Sequence, residues 1–337
     1  GSGTGGRDLA DRFIKYGVAL IGPGERGDFR HNDYEDTHVS TFAQNVEPGD
    51  RIVLRSGRRI VKAIGIVADT GKKPPEDAIN DASPSYRYLP QFGDEDGWDL
   101  QHAHRVHWHR LHHKFKGSPF GSRPARISRT YTDEVQRLVE EHIHDVDTSK
   151  LPPLPQEQPE ITESEAAARL FDSGLSQQSV ENTLVVVRQI RRLNKWYSNN
   201  NESPKEAETI CYMVVPLLGA LGWSEQQVAL EWNNMDLALF RTLPRSKENC
   251  CLAVEAKSEG SALSDAMKQA RQYVQDVNLP ECKWCLATDG VKYRLFPAEE
   301  RADESQPSEG LYINLGYMKS VKLLRKLMPR SLEKQLL

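Results

Sequence analysis

Met235-Asp236-Leu237-Ala238-Leu239-Phe240, then Pro244-Arg245-Ser246-Lys247-Glu248-Asn249, then Cys250-Cys251-Leu252-Ala253-Val254-Glu255-Ala256-Lys257 is the stretch that decides how the second half of the chain folds. The first segment alternates as a strand does, the second is a turn, and the third is apolar up to Val254, so together they read as an antiparallel hairpin. Strand side chains alternate between faces, so Glu255 and Lys257 leave on one face, with Asp236 of the neighbouring strand beside them. Two carboxylates and an ammonium therefore converge. Such a cluster is costly to desolvate unless its charge is compensated, and a hard divalent cation on carboxylate oxygens, Mg²⁺, is the natural compensation. A surface hairpin carrying a salt bridge is the rival reading. The apolar run that ends directly in Glu255-Ala256-Lys257 favours a buried strand end instead.

On the N-terminal side, Ser203-Pro204-Lys205-Glu206 opens a helix with serine as cap and proline at the first helical position. Glu206 has two readings there: a capping-box carboxylate reaching back to the serine amide, or an acid on the face of Ile210, Met213, Val214 and Leu217 that packs on the sheet. On the C-terminal side a helix over Ser264 to Gln275 carries Gln269 and Tyr273 one turn apart. The order is helix, strand, turn, strand, helix.

This segment resembles the PD-(D/E)XK nuclease superfamily, most closely the nuclease domain of type I restriction motor subunits. The residues that carry the resemblance are Glu206-Ala207-Glu208-Thr209, Pro216-Leu217-Leu218, Leu221-Gly222-Trp223, Asp236, Glu255-Ala256-Lys257 and Gln269 to Tyr273. The resemblance implies a central mixed sheet flanked by helices and a Mg²⁺-dependent nuclease. Asp236, Glu255 and the main-chain carbonyl of Ala256 would hold the metal, and Lys257 would position and help deprotonate the attacking water. Glu206 would support the metal or its water shell, Gln269 would orient the site or a phosphate, and Tyr273 would pack beside it. Met235 and Ile210 depart from the pattern, standing where relatives often carry proline and arginine.

The first half reads differently. Phe13 to Gly22 is expected as a strand running into the loop Ile21-Gly22-Pro23-Gly24, and Arg51–Arg55 and Ile60–Val67 as a hairpin after the Pro48-Gly49-Asp50 turn. Tyr86-Arg87-Tyr88-Leu89 follows, and Asp99-Leu100-Gln101-His102 leads into Arg105-Val106-His107-Trp108. These loops resemble PUA-like barrels, including EVE-type domains, and imply a reader of modified bases. A flipped base needs an aromatic slot, polar groups for its edge and a basic rim. Trp98, Asp99, Asp28, Phe29 and His102 are the candidates, against the plain alternative that such rings fill a barrel interior. Six of the ten histidines fall between His102 and His113. Alternation along a strand keeps any three from converging on a metal, so a titrating rim for phosphate is the expectation.

The run from Asp147 to Glu160, with Pro152, Pro153, Pro155 and Pro159, reads as a semi-rigid linker. The expected organisation is therefore a PUA-like β-barrel over 1–146, a linker over 147–161 and an α/β nuclease domain over 162–337. Thr162-Glu163-Ser164-Glu165 is a capping box, and Ser176 to Tyr197 a long helix with Arg188, Arg191, Arg192 and Lys195 off its apolar face. A net charge of -4 means that any phosphate partner must be met by local basic clusters. Five cysteines fit a reducing compartment, and Cys282-Lys283-Trp284-Cys285, with no second pair nearby, reads as the start of a core strand rather than a zinc site. Phe13 to Leu20 is too short and interrupted for a signal peptide, and a cytoplasmic protein is expected. With no methyltransferase motif in the chain, the reading points to an endonuclease that cuts double-stranded DNA bearing modified cytosine. Because two cuts need two sites, a homodimer on DNA is expected. A catalytically silent scaffold, or an effector directed to RNA or a protein partner, is the rival.

Overall fold

The computed structural model describes residues 9–22, 27–32, 34, 37–71, 77–94, 99–120, 132–200, 202–258, 263–299 and 311–333. The chain divides into two compact units, Gly1–Gln158 and Pro159–Leu337.

The first unit is built on a five-stranded antiparallel sheet of β1 (Val18–Ile21), β2 (Arg51–Ser56), β3 (Ile60–Val67), β4 (Tyr86–Tyr88) and β5 (His102–Lys114). The 13-residue β5 organises it, pairing with β1, β4 and β3 along its length. Where a strand over Phe13 to Gly22 was expected, the chain instead forms a helix over Ala10–Tyr16 before β1. Ala10 and Phe13, three apart, share its buried face, and Gly17 at φ 58° caps it in the left-handed region that glycine enters without strain. After the helix Thr37–Asn45, a third helix, Asp133–His142, lays Val135, Leu138 and Val139 on Val61, Ile64 and Phe115. The proline-rich run does not start as a free linker. Arg105 donates to the Pro152 carbonyl, and Leu154 packs on the cluster of Phe13, Val18 and Leu20.

The second unit carries a six-stranded mixed sheet in the order β11-β10-β9-β8-β7-β6, with β6 (Val228–Trp232), β7 (Met235–Phe240), β8 (Cys250–Ala256), β9 (Trp284–Thr288), β10 (Lys292–Pro297) and β11 (Leu311–Asn314). β7 and β8 form the anticipated antiparallel hairpin, with Leu237 opposite Val254 and Leu239 opposite Leu252, while β8 and β9 run parallel. Helices cover both faces. Leu237, Leu239, Leu252 and Val254 pack toward Val187, Ile190, Met213 and Leu217, whereas Ala238, Phe240 and Ala253 pack toward Ala266, Ala270 and Val274 of the helix Leu263–Val277. All seven residues of β8 are buried in consequence, as expected of a central strand covered on both sides. The capping box at Thr162 and Glu165 forms, with Ser176 capping the long helix Gln177–Asn199. Cys282 and Cys285 are buried free thiols.

Candidate active site

The end of β8 is where the charged residues gather. Leu237 faces Val254, so Asp236 and Glu255, the next residues outward, flank each other across the hairpin. The Ala256 amide donates to Asp236 Oδ2 at 2.7 Å, and the Lys257 amide donates to the Thr288 carbonyl at 2.8 Å, which pins the outgoing chain to β9. Glu255 is only 3% exposed. Lys257 Nζ donates to its Oε1 at 2.8 Å, while Oε2 is buried with no hydrogen-bond partner among the described residues. A buried carboxylate oxygen left unmatched costs free energy and is uncommon in folded chains.

The preceding helix supplies a third acid. Glu206 Oε1 lies 3.5 Å from Lys257 Nζ. The expected serine cap is not where the helix starts. Lys205 is the N-cap, and Glu208 reaches back to its amide at 2.8 Å. Glu208 therefore performs the capping that sequence reasoning allowed for Glu206, and Glu206 turns to the lysine. The helix then widens into a π turn over Ile210–Val214. Pro216 explains it, since proline has no amide to give to the carbonyl four residues back and its ring crowds that carbonyl. The widened turn buries Thr209, Met213 and Val214. Only glycine fits opposite: at Gly290, φ 87°, an added Cβ would stand 2.4 Å from Met213 Sδ and 3.0 Å from Thr209 Cγ2.

The electrostatics follow from this packing. Burial pushes the Glu255 carboxyl up to about 7, against the lowering influence of Lys257, and burial also raises Asp236. Lys257 is pulled down by burial, but its hydrogen bond to Glu255 and the charges of Glu255, Glu206 and Asp236 outweigh that, so its ammonium is held more firmly than usual. In this arrangement Lys257 is a hydrogen-bond donor to Glu255. The unmatched Oε2 of Glu255, next to the Asp236 carboxylate, fits a hard cation by the oxygen character of its donors. Gln269 lies on the helix that covers the same sheet face, but it is exposed, and no hydrogen bond joins it to Asp236, Glu255, Lys257 or Glu206 among the described residues. Tyr273 is partly buried against that helix's core.

In the first unit, among the described residues, Asp28, Phe29 and His102 gather around Tyr86. Trp98 lies outside the described residues. Asp99 is half-buried and accepts the Asp94 amide at 3.1 Å. Asp28 caps the short 3₁₀ turn Phe29–His31 and is held by the Arg30 guanidinium, which keeps its carboxyl low despite burial. Phe29 is 3% exposed and His102 0%, so both serve as core in this structure, as the barrel-interior alternative anticipated. Their surroundings form one closed chain of donors. The Phe29 amide donates to Tyr86 Oη at 3.3 Å, and Tyr86 Oη lies 2.7 Å from His102 Nδ1. His102 Nε2 lies 3.2 Å from Tyr34 Oη, which donates to the Gly27 carbonyl at 2.5 Å. His104 is also fully buried, its Nε2 donating to the Phe42 carbonyl at 2.8 Å, and burial pushes it down to about 4. His102 and His104 are therefore core polar groups and no part of a phosphate-binding rim. Among the supposed patch of basic residues on the long helix, Arg188 pairs with Glu163 at 2.9 Å and Arg191 with Glu160 at 2.5 Å.

Sequence reasoning missed a different cluster. His109 of β5 meets His142 and Asp145, which close the helix Asp133–His142 and the turn Ile143–Asp145 after it. Alternation along β5 spoke only for residues of that strand, and no sequence signal ties His109 to partners 33 and 36 positions on.

No family model matches the chain, and no characterised protein matches it in sequence. A solved structure, a fragment assigned to the HsdR subunit of a type I restriction enzyme from Vibrio vulnificus YJ016, matches at 22% identity and a TM-score of 0.26, covering 40% of this chain. The chain spans 25% of that protein's length. A likeness this low establishes no shared fold, and the site stands on its own geometry. Among the described residues no helix is long and apolar enough to cross a membrane.

Proposed function

We propose that the chain is a Mg²⁺-dependent endodeoxyribonuclease whose catalytic centre is Asp236, Glu255, Lys257 and Glu206, and that its N-terminal unit directs it to double-stranded DNA carrying modified cytosine. The observation that carries the nuclease reading is Glu255: an almost fully buried carboxylate, bonded to Lys257 through one oxygen and unmatched at the other, beside a second carboxylate. Asp236, Glu255 and the Ala256 carbonyl are the groups that would hold Mg²⁺. The ion would supply Lewis-acid stabilisation of charge building on the phosphate. Lys257, kept as an ammonium, orients the attacking water and faces the same charge. Glu206, half-exposed and 3.5 Å from that ammonium, would take the water's proton. Gln269, exposed on the covering helix, is assigned to a phosphate contact.

The modified-base reading rests on the sequence resemblance of the first unit, with Asp28, Asp99 and Trp98 as its remaining contacts. A second reading, a nuclease indifferent to base modification, is favoured by the burial of Phe29 and His102. The test is cleavage with Mg²⁺ of matched DNA containing plain, methylated, hydroxymethylated or glucosylated cytosine, with Lys257→Ala alongside. Cutting of one modified substrate, lost in the variant, is expected. Equal cutting of all substrates keeps the nuclease and removes the reader, and no cutting of any, despite binding, turns the reading to a scaffold, an RNA target or a missing partner.

A further inference from the structure

We propose that His109, His142 and Asp145 form a second cation site, one that takes a borderline transition-metal ion of the Zn²⁺ class and clamps the helix Asp133–His142 onto β5. The packing that makes the site is apolar. Val135, Leu138 and Val139 settle on Val61, Ile64 and Phe115, and Ile64 is also the residue opposite His109 in the β3–β5 ladder. The C-terminal end of the helix is thereby carried to the middle of β5, where its last residue, His142, and the last residue of the following turn, Asp145, meet the strand histidine.

The donor atoms lie within 4.8 Å of one another. One carboxylate oxygen is common to both contacts: Asp145 Oδ2 is 3.2 Å from His142 Nδ1 and 4.0 Å from His109 Nε2. The two imidazole planes are 12° apart with centroids 6.3 Å apart, so the rings lie nearly parallel rather than edge to face. Side-chain exposures of 32%, 28% and 53% leave a route for an ion from solvent. Two imidazole nitrogens and one carboxylate oxygen are the donor set of a zinc-type site with an open position, and the wrong set for Mg²⁺, which prefers oxygen ligands throughout. His142 also sits at a helix C-terminus, where the aligned carbonyls favour positive charge.

The rival explanation is a carboxylate that only bridges two protonated imidazoles. The two differ in sign with pH, because metal ligation needs neutral imidazoles and the bridge needs charged ones. The experiment is calorimetric titration of the full chain, stripped by a chelator, with Zn²⁺ at neutral pH in excess Mg²⁺, so that oxygen sites elsewhere are occupied. Thermal unfolding is followed with and without Zn²⁺. One Zn²⁺ per chain with micromolar or tighter affinity and a raised Tm are expected. His109→Ala and Asp145→Asn should each weaken binding by at least about 100-fold, the upper end of what even an outer-shell change costs. His112→Ala, an exposed histidine of the same strand, should leave binding unchanged. Folded variants that bind Zn²⁺ as the parent does would overturn the site, as would a Tm that ignores Zn²⁺.

Discussion

Two buried polar clusters, one in each unit, differ in a way that separates architecture from chemistry. Around His102 in the first unit, each ring nitrogen faces a tyrosine hydroxyl, and those hydroxyls in turn meet a backbone amide and a backbone carbonyl. Around Glu255 in the second, one oxygen is bonded and the other is not. A closed network leaves no polar group wanting a ligand, so it specifies the packing of its own core and nothing else. An open one holds free energy in reserve for whatever completes it. Both clusters were candidate sites from the sequence, since both are charged or polar residues on strands. Burial alone does not tell them apart, because His102 and Glu255 are almost equally hidden. The count of partners does.

The comparison breaks most sharply at Lys257. Lys257→Ala should lower Mg²⁺-dependent cleavage by roughly 10³-fold with DNA binding retained, measured by single-turnover cleavage beside a gel-shift titration. Undiminished cleavage would demote the open cluster to a structural one. Glu255→Gln tests the same cluster through stability. Because the folded value, about 7, lies above the unfolded 4.5, the folded chain keeps a proton that the unfolded chain has released in that window, and stability falls as pH rises through it. The substitution removes that loss, so Glu255→Gln should abolish cleavage yet stabilise the chain by roughly 2–3 kcal/mol near pH 8, read by urea unfolding at paired pH values. The closed cluster should behave in the opposite way. Tyr86→Phe leaves His102 Nδ1 without its donor, and a loss of about 1–3 kcal/mol in stability with no change in the cleavage rate is expected. The smallest effect falls at the helix cap. Glu208→Ala should cost about 1 kcal/mol with cleavage nearly intact, whereas Glu206→Gln should spare stability and slow cleavage, a contrast that checks which glutamate caps and which acts.

Much of the second unit was legible because its signals are local. The alternation of Met235 to Phe240, the turn after it and the apolar run into Glu255 are properties of neighbours in the chain, and strand geometry then dictates that Glu255 and Lys257 share a face. The capping box at Thr162 was readable for the same reason. Local signals misled where two elements compete for one stretch. Phe13 to Gly22 holds enough apolar residues for a strand, but Gly17 stops a helix there and only Val18–Ile21 joins the sheet. At Glu206 the choice between cap and site turned on whether Ser203 or Lys205 begins the helix, a shift of two residues that the pattern does not resolve.

Residue order and spacing thus determined which acids could converge, that a lysine would stand among them, and that the sheet around them would be apolar. Tertiary structure decided the rest: that Oε2 of Glu255 has no partner, that Glu206 reaches Lys257, that Phe29 and His102 are closed into a core, and that His109 meets His142 and Asp145. The reason is physical. Alternation and capping act between residues a few positions apart and are written in the sequence directly, whereas desolvation and hydrogen-bond satisfaction depend on every group that packing brings to an atom, however distant along the chain.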